Sequence, residues 1–311
     1  MSSGNEPPAG PASGDHEGRQ LDSPDTHVMV LPDERELAWM ELGTAQGLPV
    51  IAFHGTPGSR LQFGFGDGPA RAAGVRFIVP DRPGYGLSAY QPGRRLAGWA
   101  GDVAWLADHL RLTRFAVVGL SGGGPHAVAC ARFLPERVVA AIIVSGVAPL
   151  VEPGTEAGMA PADVLLVRMT RRSPASTLPF FVAMAMFDRR WPERALALMA
   201  RQLGPADAAV LGHPEVRAAL LADLSRSSPT TGKALAQDYA LWAADWGFRL
   251  QDIKVPVHLW HGDADRDVPI AHAHRQAEAI PGAVLHDCPG EGHLLVGTRL
   301  DEILSVVTGL F

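Results

Sequence analysis

The sequence predicts an α/β fold: a mostly parallel sheet flanked by helices, with an all-helical segment inserted into it. Three observations carry this. Short apolar strands alternate with helical spacing up to about residue 149 and again from about residue 251, and such alternation gives a parallel sheet with right-handed crossovers. Val138 to Ser145 is a continuous apolar, β-branched run, as a central parallel strand covered on both faces requires. Leu150 to about Leu250 breaks the alternation and holds no convincing strand. The expected organisation is a disordered tail over 1–26, a first core part over 27–149, a helical cap over 150–250 and a second core part over 251–311.

The tail is rich in Gly, Pro, Ser and Asp and nearly devoid of apolar residues, so it cannot bury enough surface to fold. His27 to Leu31 and Leu37 to Leu42 read as two strands joined by the turn Pro32–Arg35, a connection short enough for antiparallel pairing. Pro49 to His54 and Val75 to Val79 are the next strands. Leu96, Trp99, Val103, Leu106 and Leu110 share one face of a helix. Phe115 to Val118 is a buried strand. In the insert, helices are expected over Pro161–Thr170, Leu178–Phe187, Pro192–Leu203, Val216–Leu224 and Gly232–Ala244. Most of its frequent aromatics and methionines (Phe180, Phe181, Met186, Trp191, Trp242 and Trp246 among them) are expected in the insert's own core. Strand Val255–Trp260, helix Ile270–Ile280, strand Ala283–Asp287 and helix Leu294–Leu310 close the chain.

Bulk properties narrow the function classes. A hydrophobic fraction of 47% supplies a substantial core. The formal net charge of −6 and the lack of a basic run argue against nucleic acid and anionic membrane as partners. Two cysteines, Cys130 and Cys288, are too few for a disulfide framework and read as core or near-core thiols. The longest apolar run, Val138 to Val151, is too short to span a bilayer, and no signal pattern opens the chain. A soluble, cytoplasmic protein acting on a small molecule is expected.

The chemistry gathers at strand ends. Gly119-Leu120-Ser121-Gly122-Gly123 sits between a strand and a small-residue helix, the setting in which G-x-S-x-G lifts a serine from the sheet on a strained turn. A hydroxyl needs a base to become a nucleophile, and the base needs a carboxylate to orient it. Of twelve histidines, His293 is best placed, in the turn Gly290-Glu291-Gly292-His293 between the last strand and the last helix. His258 and His286 lie within strands and His272 and His274 on a helix; His54 and His126 flank the site with structural roles expected. For the carboxylate, the strand ending at Trp260 runs into His261-Gly262-Asp263-Ala264-Asp265-Arg266-Asp267. Asp265, mid-loop, is the choice; Asp263 and Asp267 read as loop-stabilising or capping groups. Asp81 and Arg82, at another strand end, read as fixing a loop near the site. The glycine-rich loop His54-Gly55-Thr56-Pro57-Gly58 lacks a phosphate-loop pattern.

Together these stretches, with Asp81-Arg82-Pro83-Gly84-Tyr85-Gly86-Leu87-Ser88, resemble the α/β-hydrolase superfamily from about residue 27 onward, with the insert as its helical cap. The order Ser121, Asp265, His293 matches that family's. The resemblance implies that Thr56 and Gly122 donate the backbone N–H groups of an oxyanion hole, and that no metal or organic cofactor takes part. A serine where haloalkane dehalogenases and cap-bearing epoxide hydrolases use aspartate makes the chain similar to the esterase-type branch. The expected activity is hydrolysis of a small to medium hydrophobic ester. The same three residues would serve a C–C bond hydrolase, a cofactor-free perhydrolase or an amidase. A slow-turnover ligand-binding signalling protein is the reading from another class.

Overall fold

Strands form where apolar and β-branched residues run uninterrupted, and the ends of those runs decide where the chain turns. The computed structural model describes residues 26–152 and 154–311. The disorder expected for the tail falls on residues outside these, except that Thr26 is already the first residue of a strand. The strands are β1 (Thr26–Val30), β2 (Glu36–Gly43), β3 (Leu48–Phe53), β4 (Val75–Pro80), β5 (Phe115–Leu120), β6 (Val138–Val144), β7 (Val257–Gly262) and β8 (Val284–Cys288). They make one sheet in the order β1-β2-β4-β3-β5-β6-β7-β8. β1 pairs antiparallel with β2, and β2 with β4; the other pairs are parallel. β5 and β6, at the centre, are buried at every residue.

Helices cover both faces. α2 (Leu96–His109) and α3 (Gly124–Phe133) pack with Phe53, Val117 and Ile143 on one side. α1 (Asp67–Ala72) and α11 (Val296–Thr308) pack with Val50, Phe77, Val118 and Ile142 on the other. α1 and the short 3-10 helix before it (Arg60–Gly66) lie where no helix was expected. Two glycines, Gly64 and Gly66, and a proline, Pro69, interrupt the apolar spacing there. α10 (Ala271–Ala279) lies between β7 and β8. Cys130 and Cys288 are both buried and free.

Between β6 and β7 the chain leaves the sheet and forms only helices: α4 (Pro161–Arg172), α5 (Leu178–Arg190), α6 (Pro192–Leu203), α7 (Pro205–Val210), α8 (Pro214–Ser225) and α9 (Pro229–Ala243). α7 was not expected; Gly204, at φ 102°, separates it from α6. The aromatics of this segment divide. Phe181 and Trp242 are buried in its core, and Trp246 joins the core beneath the sheet. Phe180, Met186 and Trp191 are exposed and are the minority outside that core. No helix of the described residues is long and apolar enough to cross a membrane.

α8 is also fastened to the loop after β3 by a buried hydrogen bond: Ser59 donates from Oγ to Asp223 Oδ1. Burial raises the Asp223 carboxyl to about 7, with the Ser59 hydrogen bond working in the other direction. The folded protein therefore holds a proton that the unfolded chain releases near 3.8, so this group's contribution to stability is full below that pH and lost as pH climbs to about 7. Asp223→Asn, which cannot ionise, is expected to gain in melting temperature relative to the wild type between pH 5 and pH 8; a difference that does not change with pH would refute the buried titration.

Candidate active site

β5 ends in a turn that only small residues permit. Ser121 takes φ 51°, a left-handed angle costly for a side chain with a Cβ. A Cβ on Gly119 would lie 2.5 Å from the Gly123 carbonyl oxygen, and one on Gly123 would lie 2.3 Å from the Phe53 carbonyl oxygen. The glycines on either side of Ser121 are thus what lets α3 start against β3 and β5. The serine itself is nearly buried.

Two further loops meet it. Ser121 Oγ donates to His293 Nε2 at 2.9 Å, and His293 Nδ1 donates to Asp265 Oδ2 at 2.8 Å. Asp265 is held in turn by the backbone N–H groups of Asp267 and Val268, both 2.9 Å from its Oδ1, and its Oδ2 lies 3.2 Å from His261 Nε2. The structure therefore joins Ser121, His293 and Asp265 in one line of hydrogen bonds. Burial opposes the charged form of His293, but the carboxylates of Asp265 and Asp267 outweigh it and raise its pKa. Burial likewise pushes Asp265 upward, and the neighbouring His293 and His261 bring it below its ordinary value.

The loop that carries His293 is fixed from below and above. Ser145, at φ 49° just after β6, donates from Oγ to the His293 carbonyl oxygen at 2.9 Å. From α7, Asp207 accepts the N–H groups of His293 at 3.1 Å and Leu294 at 2.6 Å. A Cβ on Gly292 would fall 2.2 Å from Asp207 Oδ2, so the glycine before His293 is what admits this carboxylate.

The β3 loop has its own anchor. Asp238 of α9 accepts at Oδ2 from Thr56 Oγ1, Arg82 Nη1 and Tyr85 Oη, each at 2.7 Å, and at Oδ1 from Arg94. Arg82 also donates to the carbonyl oxygen of Gly55 at 2.8 Å and to Thr56 Oγ1 at 2.6 Å. Burial would raise Asp238, yet the two guanidinium groups keep it lowered and ionised. A Cβ on Gly122 would lie 2.2 Å from Thr56 Oγ1 and 2.7 Å from Trp242 Cζ2, which puts Thr56, Gly122 and Trp242 around one spot beside Ser121.

His54 and His126 are fully buried and bonded to the backbone at Gly55 and Gly122. Burial, reinforced by Arg82, lowers both well below the ordinary histidine range, so they stay neutral. Asp263 accepts the Gly290 N–H at 2.6 Å, as a loop-stabilising group. Asp267 differs from its expected loop role: its Oδ2 stands 3.5 Å from His293 Nε2, on the side of the imidazole that faces Ser121. Sequence reasoning also missed Ser145, Asp207 and Asp238. The last two carried a signal, each being an acidic residue among alanines in a helical stretch.

Residues 49–299 match the family model described as the alpha/beta hydrolase fold. The chain is 27% identical to the uncharacterized hydrolase YcgS of Bacillus subtilis, over 86% of this chain and 92% of that one. It is 31% identical to the pimeloyl-[acyl-carrier protein] methyl ester esterase of Aromatoleum aromaticum, over 72% of this chain and 83% of that one. Among solved structures, a hydrolase from Pseudomonas aeruginosa PA01 superposes with a TM-score of 0.69 at 19% identity, over 93% of this chain and 99% of the other, a likeness of fold.

Gly123→Ala is expected to destabilise the protein by about 1–3 kcal/mol, because the added methyl meets backbone that cannot yield. Chemical denaturation checks this. A loss below about 0.5 kcal/mol would mean the turn is not as tightly packed as its geometry states.

Proposed function

The chain belongs to the alpha/beta hydrolase fold family, and within that family we propose that it is a serine hydrolase acting on an ester-type acyl bond. The observation that carries the reading is the unbroken line Ser121 Oγ–His293–Asp265, with hydrogen bonds of 2.9 and 2.8 Å. In this reading His293 Nε2 takes the Ser121 proton as Oγ attacks the carbonyl carbon. Asp265 holds the imidazole in the tautomer with hydrogen on Nδ1 and stabilises the imidazolium. The N–H groups of Thr56 and Gly122 meet the developing oxyanion, each donor contributing about 3–4 kcal/mol to the barrier's reduction. Thr56 has only its backbone to offer, since its hydroxyl already donates to Asp238. His293 then passes its proton to the departing alcohol. Water, deprotonated by the same nitrogen, releases the acid from Ser121.

The substrate class is inferred from the neighbourhood of the serine. Trp242, whose ring stands beside Gly122, belongs to a buried apolar cluster with Val147, Leu150 and Tyr239, which favours a small to medium hydrophobic acyl or alkyl group. A relative whose name states a methyl ester substrate supports an ester over an amide.

The direct test is intact mass after exposure to a fluorophosphonate. The wild type is expected to gain one adduct and Ser121→Ala none; a folded wild type that gains none would sink the reading. His293→Ala should lower turnover of a p-nitrophenyl ester at least about a thousandfold while the melting temperature stays close to that of the wild type. The pH profile supplies a finer check. His293 acts only when neutral, and neighbouring carboxylates raise its pKa, so kcat/KM should rise with pH through a limb above the ordinary histidine value. Asp265, Asp267, Asp207 and Asp163 are acidic groups that act on it. Asp267→Asn deletes the charge nearest Nε2 and should move that limb to lower pH; an unmoved limb would remove Asp267 from the site's electrostatics.

A further inference from the structure

Asp267 is the open edge of an otherwise closed site. Ser121 is 7% exposed and the His293 side chain 8%, whereas the Asp267 side chain is 30% exposed. Its Oδ2 stands 3.5 Å from His293 Nε2, the same nitrogen that Ser121 Oγ meets at 2.9 Å. A molecule that reaches the serine has this carboxylate as its neighbour. Oδ1 accepts from Gln202 Nε2 of α6 in a long contact of 3.4 Å; among the described residues Oδ2 has no partner but the imidazole.

The charge around Asp267 runs one way. Besides His293, the groups acting on it are Asp163 of α4, Asp265 and Asp207, all carboxylates. Asp163 is held by Tyr239, which donates from Oη to its Oδ1 at 2.7 Å. Burial pushes Asp267 up to about 6, helped by these carboxylates and opposed by His293. Arg266, its neighbour in the chain, packs on Gly204 instead. Among the described residues no arginine or lysine pairs with Asp267. His293 must be neutral to take the serine's proton, and at that moment Asp267 faces no cation at all.

Position says which part of a substrate would supply one. The leaving oxygen takes its proton from Nε2 and so comes within about 3 Å of it, which places Asp267 Oδ2 within about 6.5 Å of that oxygen. We infer that the site selects esters whose alcohol carries a positive charge two or three carbons from the ester oxygen, with Asp267 as the residue that reads the charge. The acyl group keeps the apolar surroundings of Trp242, beside Gly122. This deepens the serine-hydrolase reading and rests on it.

The test compares kcat/KM for two butyrate esters of one shape: the 2-(trimethylammonio)ethyl ester and the 3,3-dimethylbutyl ester, in which carbon replaces the charged nitrogen. At pH 8, where Asp267 is ionised, the charged ester is expected to be favoured at least about tenfold. Added salt should shrink the preference. In Asp267→Asn the ratio should fall to within about threefold of one. Both esters meet the same His293, so any effect of the substitution on the base cancels in the ratio; a role confined to the imidazole's titration would leave the ratio unmoved. A wild type that takes the fluorophosphonate on Ser121 yet shows no preference, prefers the neutral ester, cleaves neither, or keeps its preference in Asp267→Asn overturns this inference and leaves the serine-hydrolase reading standing. A folded wild type that takes no fluorophosphonate overturns both.

Discussion

One tight approach of a helix to a strand governs most of what surrounds it. α3 begins so near β3 that the Gly123 Cα faces the Phe53 carbonyl with no room for a methyl group. That single steric fact forces Ser121 into a left-handed angle, turns its hydroxyl off the sheet edge and brings Gly122 beside Thr56. The strain is tolerable because the strands beneath are buried on both faces and cannot relax. The site is therefore a property of the sheet's packing, read out at one residue.

The sheet and the line from Ser121 through His293 to Asp265 were legible because each has a local signature. Continuous apolar runs mark the strands, and glycines two residues either side of a serine mark the turn. His293 stood out because its loop, with Gly290 and Gly292 before the histidine, joins the last strand to the last helix. The supports were harder to read. Asp207 reaches His293 across 86 residues, and Asp238 reaches Thr56 across 182. Nothing local fixes such a pairing; it exists only after the helices dock. Asp267 was misread for a related reason. Three aspartates alternate in one loop, and sequence alone gives no measure of which way each one turns.

Electrostatics divide the neighbourhood into two halves. Around His293 stand carboxylates in excess, from Asp265, Asp267 and Asp207. Around the β3 loop stand guanidinium groups in excess, Arg82 and Arg94 against Asp238, with His54 and His126 kept neutral by burial. A reaction that builds negative charge near Thr56 and positive charge on His293 would find each favoured where it arises. The arrangement is preorganised: its partners are backbone groups and buried side chains, which need not move as charge develops.

Three aspartates, one on each of α7, α8 and α9, plug into loops of the sheet: Asp207 at His293, Asp223 at Ser59, Asp238 at Thr56 and Arg82. They divide the helical layer mechanically. The half that begins at α7 is riveted to the same loops that build the site, so lifting it would dismantle the machinery it covers.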